Sequence, residues 1–205
     1  MTEVEWLTCA HPYRMQEHLR GKTKPRKMRL FACACCRIEW TKLDEEFRTA
    51  VEVAERFADG LASKTELKAC WHATRDALRA TGRPPWTHIA CEAAWYATRN
   101  PRSAARHPLS FPNGPHRQRQ IAHFYDIFGR FPFHPASADS TWLTSTVVAL
   151  AQGIYAERAF DQLPILADAL QDAGCENEDM LSHCRDPQLT HVRGCWVVDL
   201  LLGKH

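Results

Sequence analysis

The sequence predicts an all-α fold, an irregular multi-helix bundle of about eight or nine helices with a Pro-rich central loop. Three observations carry this. Apolar residues recur at i, i+3, i+4 and i+7 over most of the chain. Capping residues, prolines and glycines punctuate that pattern at helical lengths. No stretch alternates apolar and polar residues as a half-buried strand does, and no internal repeat appears. A length of 205 residues suits a single helical domain, 1–205, divisible at most into subdomains 1–99 and 117–205 joined by a loop at 100–116.

Each helix has its own signal. Thr2 and Glu5 have capping-box spacing and open a short first helix. Pro12 suits the first position of a second helix, which Gly21 closes. Residues 25–42 read as a third. Every residue from Leu30 to Cys36 is apolar, so this helix has no face for water and belongs at the centre. Phe47, Ala50, Val51, Ala54, Ala58 and Leu61 form an amphipathic stripe. Ser63 and Glu66 repeat the capping box ahead of a helix through Leu67, Cys70, Trp71 and Leu78 that stops at Gly82. Pro84 and Pro85 precede a helix through Ile89, Ala93 and Tyr96. Prolines and Gly114 then break the pattern over 100–117. A short helix is expected at 117–128, and the FPFHPASADS stretch is irregular. Val147, Leu150, Ala151 and Ile154 mark one later helix, and Leu163, Leu166, Ala167 and Leu170 mark another, closed by Gly174. A turn near 178–184 and a last helix over 192–202 complete the chain.

Composition excludes several classes. Apolar residues make up 45%, which rules out wholesale disorder. The net charge of +2 selects neither nucleic acid nor membrane as a partner, but it is a cancellation. A basic N-terminal strip faces an acidic stretch over 157–186, where Glu157, Asp161, Asp168, Asp172, Glu176, Glu178, Asp179 and Asp186 meet only Arg158 and Arg185. The opening MTEVEWLTC has acids where a secretory leader needs positive charge, and no apolar run is long enough for a membrane span. A cytoplasmic location is expected, with the nine cysteines reduced.

Three stretches stand together: the opening MTEVEWLTC, MRLFACACCR followed by AVEVAERFADG, and TVVALAQGIYAERAFDQLPILADALQDAGC with HVRGCWVVDLLLGK. On these motifs the chain resembles a recurrent family of uncharacterised bacterial proteins found mainly in planctomycetes. The resemblance covers residues 1–62 and 124–205 and implies no activity and no catalytic residues.

The sharpest chemical candidate is a metal site. Cys175, His183, Cys184, His191 and Cys195 crowd into one segment, and zinc takes about four such nitrogen and sulfur donors in a tetrahedron. On a continuous helix, His191 and Cys195 would share a face. The spacing matches no recognised finger, and buried cysteines commonly pack without metal. Cys33, Cys35 and Cys36 form a second group. Their apolar surroundings favour burial as small side chains over a reactive thiol, which needs an exposed, electropositive setting.

The basic strip from Arg14 to Arg29 includes Arg20, Lys22, Lys24, Arg26, Lys27 and Arg29. Cations before a helix N-terminus oppose the macrodipole, so an anion such as nucleic-acid phosphate would suit them. Pairing with the chain's own acids, or with a protein partner, is the favoured alternative. Catalytic signatures are missing: there is no Gly-x-Ser-x-Gly elbow, Walker loop, dinucleotide glycine motif or His-Glu-x-x-His. Five of the seven tryptophans (Trp6, Trp40, Trp71, Trp95 and Trp196) fall among apolar neighbours as core filling. The expected function is a non-catalytic cytoplasmic helical binding or interaction module, with an unknown protein partner, no membrane and no required cofactor. The alternatives are a zinc protein with its site in 175–195 and a nucleic-acid binder using 14–29.

Overall fold

The computed structural model describes residues 1–80, 114–129, 133 and 137–204. It is all-α. The described residues hold ten α-helices and no strand, and none of these helices is long and apolar enough to cross a membrane. The predicted helix through Ile89 and Tyr96 and most of the Pro-rich loop lie outside the described residues. The chain divides into two compact units, Met1–Phe124 and Tyr125–His205.

The first unit contains α1 (Glu3–Leu7), α2 (Pro12–Leu19), α3 (Pro25–Arg37), α4 (Glu45–Ala58) and α5 (Lys64–Ala80), with most of α6 (Gly114–Phe128). Both capping boxes form. The Glu5 amide donates to Thr2 Oγ1 at 3.2 Å and the Thr2 amide to Glu5 Oε2 at 2.7 Å. Ser63 and Glu66 repeat this at 3.1 and 2.7 Å. Helix α3 is the central one: from Leu30 to Cys36 no residue is more than 3% exposed. Each large side chain buried there contributes roughly 1.5–3 kcal/mol. It stops at Arg37, short of the predicted 42, because the bonding tightens to Ile38 N–H on Cys35 O and Glu39 N–H on Cys36 O. A 3₁₀ turn over Trp40–Lys42 follows. The Arg37 guanidinium holds Glu55 with two bonds of 2.8 and 2.9 Å and lies over the Trp40 ring at 4.1 Å.

Helix α6 opens at Gly114, earlier than the periodicity placed it, with Pro115 near its start, where a missing N–H costs nothing. Its last turn belongs to the second unit, with α7 (Ser145–Glu157), α8 (Leu163–Asp172), α9 (Glu178–Arg185) and α10 (Trp196–Leu201). Val147, Ile154, Leu163, Leu166, Leu170, Met180, Val197 and Val198 form the core of this unit, each fully buried. Two expectations are corrected here. The predicted turn at 178–184 is a helix: Asn177 caps it through the Met180 amide at 3.1 Å, and Met180, Leu181 and Cys184 bury one face. The last helix begins at Trp196, not 192. A turn closed by Cys195 N–H on Val192 O, with Gly194 at φ +99, precedes it. Such a φ suits glycine and ends any helix running back to His191.

Candidate metal centre

Asp126 sits in the last turn of α6, in the run FYDIF, and its side chain is fully buried. His183 lies on α9. His191 lies in the irregular segment between α9 and α10, and Cys195 holds the N-cap position of α10. Folding of the second unit brings one donor atom from each of these four within 4.8 Å of the others. His191 Nδ1 lies 2.6 Å from Asp126 Oδ1, and His183 Nε2 lies 3.2 Å from the same oxygen. His183 Nε2 is also 3.4 Å from Cys195 Sγ. The second carboxylate oxygen accepts the Val192 amide at 2.7 Å.

A zinc tetrahedron with bonds near ~2.0 Å to oxygen and nitrogen and ~2.3 Å to sulfur has edges of roughly 3.3–3.5 Å. The 3.2 and 3.4 Å separations match such edges. The 2.6 Å contact is a hydrogen bond and would open by roughly 0.7 Å around a metal. Hydrogen bonding alone accounts poorly for the cluster. The one hydrogen that His183 Nε2 can carry faces both an oxygen and a sulfur.

The electrostatics point the same way. Burial by itself would raise the Asp126 carboxyl. The hydrogen bonds from His183 and His191, and their charge, outweigh it and hold the group well below the usual carboxylate range. Asp126 is therefore an anion in the interior, compensated by the two imidazoles beside it. Burial pushes the Cys195 thiol well up, and the charge of Asp126 adds to this, while the amides of Val198 and Val197 favour the thiolate. A dication between one carboxylate, one thiolate and two neutral imidazoles would leave the site neutral. The donors are closed off from water: His183 and His191 are 9% and 7% exposed, Asp126 and Cys195 not at all.

The surroundings fix the donors. The Trp196 indole packs on His183 at 5.4 Å, and His191 meets His183 edge-on at 4.9 Å. Gly129, the residue after α6, has φ +54, and a Cβ there would meet the Trp196 ring at 3.0 Å. Only glycine satisfies both the left-handed backbone and this close approach.

Of the residues the sequence singled out, His183, His191 and Cys195 come together. Cys184 is buried beside them, its thiol pushed up to about 12 by burial and by the charge of Asp126. Cys175 is buried in the apolar core of the same unit. Asp126 was missed by sequence reasoning. Its only signal is an acid flanked by Phe124, Ile127 and Phe128, since an acid in an apolar run needs a buried partner.

Cys33 and Cys36 lie in the core of the first unit with Phe47 and Val51. Burial pushes the Cys33 and Cys35 thiols well above their ordinary value, the opposite of an activated nucleophile. The basic strip is partly engaged in the fold. Arg26 holds Asp59 at 3.0 Å, Arg29 is buried over the Phe57 ring, and Arg20 pairs with Glu17 at 3.6 Å. Lys22 lies beside His18 at 3.3 Å, Lys24 is exposed at the N-cap of α3, and Lys27 is half-buried on its first turn.

No family model, curated protein or solved structure matches the chain.

Proposed function

We propose that the chain is a non-catalytic helical binding module whose second unit is built around a structural zinc ion held by Asp126, His183, His191 and Cys195. The single observation that carries this is the convergence of four buried donor atoms of mixed oxygen, nitrogen and sulfur type within 4.8 Å. Nitrogen and sulfur donors with one carboxylate suit zinc, whereas calcium and magnesium take oxygen alone. Four protein donors fill a tetrahedron and leave no position for a reacting water, so the reading is structural. His191 and Cys195 fall in HVRGCW, one of the motifs behind the proposed kinship with the planctomycete family. The eight described cysteines are free thiols, which supports a reducing, cytoplasmic setting.

The test is elemental analysis of protein prepared without a histidine tag. One equivalent of zinc per chain is expected, with cobalt substitution giving the visible absorption of a tetrahedral thiolate site. Less than about a tenth of an equivalent overturns the reading, because structural zinc binds tightly.

A further inference from the structure

The four donors divide evenly between two parts of the second unit. Asp126 and His183 stand on helices α6 and α9. His191 and Cys195 stand on the segment after α9, an irregular stretch of residues 186–195 leading into the six residues of α10. That segment has little structure of its own to hold it. Ordering irregular backbone costs entropy at every residue, and a helix as short as α10 does not persist alone. Its attachments to the rest of the unit include apolar packing and the contacts of a few side chains. Val197, Val198 and Leu201 are buried in the apolar core, and the ring of Tyr155 on α7 meets Arg193 at 4.6 Å and Lys204 at 4.7 Å. The Trp196 indole packs on His183, and the donor cluster adds His191 and the Val192 amide on Asp126, and Cys195 on His183.

We propose that the metal is a latch: it joins the 186–204 segment to the body of the second unit, and the segment opens locally when the metal leaves. This rests on the zinc reading above. Zinc meets all four donors only in the closed arrangement, so it stabilises that arrangement over the open one by mass action. Opening would uncover the apolar surface beneath Val197, Val198 and Leu201, leaving α7 and α8 packed on each other through Ala151, Ile154, Leu163 and Leu166. The latch makes the state of one ion decide whether that surface is covered.

The experiment is hydrogen exchange by mass spectrometry on the full chain, zinc-free and at free zinc buffered near 100 times the dissociation constant. Zinc content is measured on the same samples. Exchange of the amides over 188–202 is expected to slow about 100-fold with zinc. The amides of Leu166–Leu170 are expected to change by less than about threefold, since opening is local. If one equivalent of zinc binds and the tail amides are equally protected in both states, the latch is wrong and the zinc reading stands. If protection is lost together over α7, α8 and the tail, opening is global and the latch is again wrong. If no zinc binds, both fail.

Discussion

Asp126→Asn tests the carboxylate that joins the cluster. The substitution keeps shape and volume, so core packing is not at issue. The native side chain does two things at once: Oδ1 faces both imidazoles at 2.6 and 3.2 Å, and Oδ2 accepts the Val192 amide at 2.7 Å. An asparagine cannot do both. With its oxygen toward Val192, its NH2 faces the metal and a donor atom is lost. With its oxygen toward the metal, its NH2 meets the Val192 N–H, and a buried donor goes unsatisfied at about 1–3 kcal/mol. Either way one of the two negative charges that balance the dication is gone. Disturbing a residue that merely orients a ligand costs about 10–100-fold in affinity, and a ligand should cost at least the upper figure. A loss of at least ~100-fold, or about 2.7 kcal/mol, is therefore expected. Competition against a chromophoric chelator at fixed pH measures it. An affinity within about threefold of the parent would show that Asp126 is not a ligand, and the four-donor geometry would have to be abandoned.

Gly129→Ala should destabilise the second unit by about 3 kcal/mol, combining a left-handed backbone with a Cβ against Trp196. Urea unfolding followed by tryptophan emission measures this, and a loss under about 1 kcal/mol would contradict it. In the first unit, Glu55→Ala leaves Arg37 without its partner, for which about 3 kcal/mol is expected, the low end for a buried pair because Arg37 is 23% exposed and can rehydrate. A double-mutant cycle with Arg37→Met should return a coupling above about 1 kcal/mol, and additivity would refute the pairing. Backbone and hydroxyl hydrogen bonds from Ser63 hold the Glu66 carboxyl below its ordinary value. Its contribution to capping α5 is therefore present above the usual glutamate range and fades as pH falls through the lowered value. Carboxyl NMR should find that midpoint lowered in the parent and raised part of the way back in Ser63→Ala, which loses the hydroxyl but keeps the backbone N–H donor; identical midpoints would show that the hydroxyl takes no part in the cap. Cys33, Cys35 and Cys184, buried and with raised thiols, should react with a disulfide reagent only as fast as the native chain opens, whereas half-buried Cys70 reacts ahead of these three.

What could be read from the sequence was local. The Thr2–Glu5 and Ser63–Glu66 boxes need only four consecutive residues, and both formed where the spacing placed them. The apolar run Leu30–Cys36 announced a central helix for the same reason. Helix 178–185 read as a turn because its short sequence is mostly polar, and burial of Met180, Leu181 and Cys184 by the rest of the unit decides its structure. The donor cluster divides along the same line. His183, His191 and Cys195 are near one another in sequence and were singled out together, though the helical face proposed for the last two gave way to the turn at Gly194. Asp126 lies 57 residues from His183 and 65 from His191, a distance that no spacing rule bridges.

That separation has a kinetic consequence. A contact between residues so far apart in sequence closes a long loop, which costs chain entropy before the contact repays it. If the Asp126 contacts form after the transition state, zinc engages the full donor set only beyond it. Raising zinc should then leave the folding arm of the chevron in place and displace the unfolding arm downward, so that the ion acts on how long the second unit lasts and not on how fast it forms.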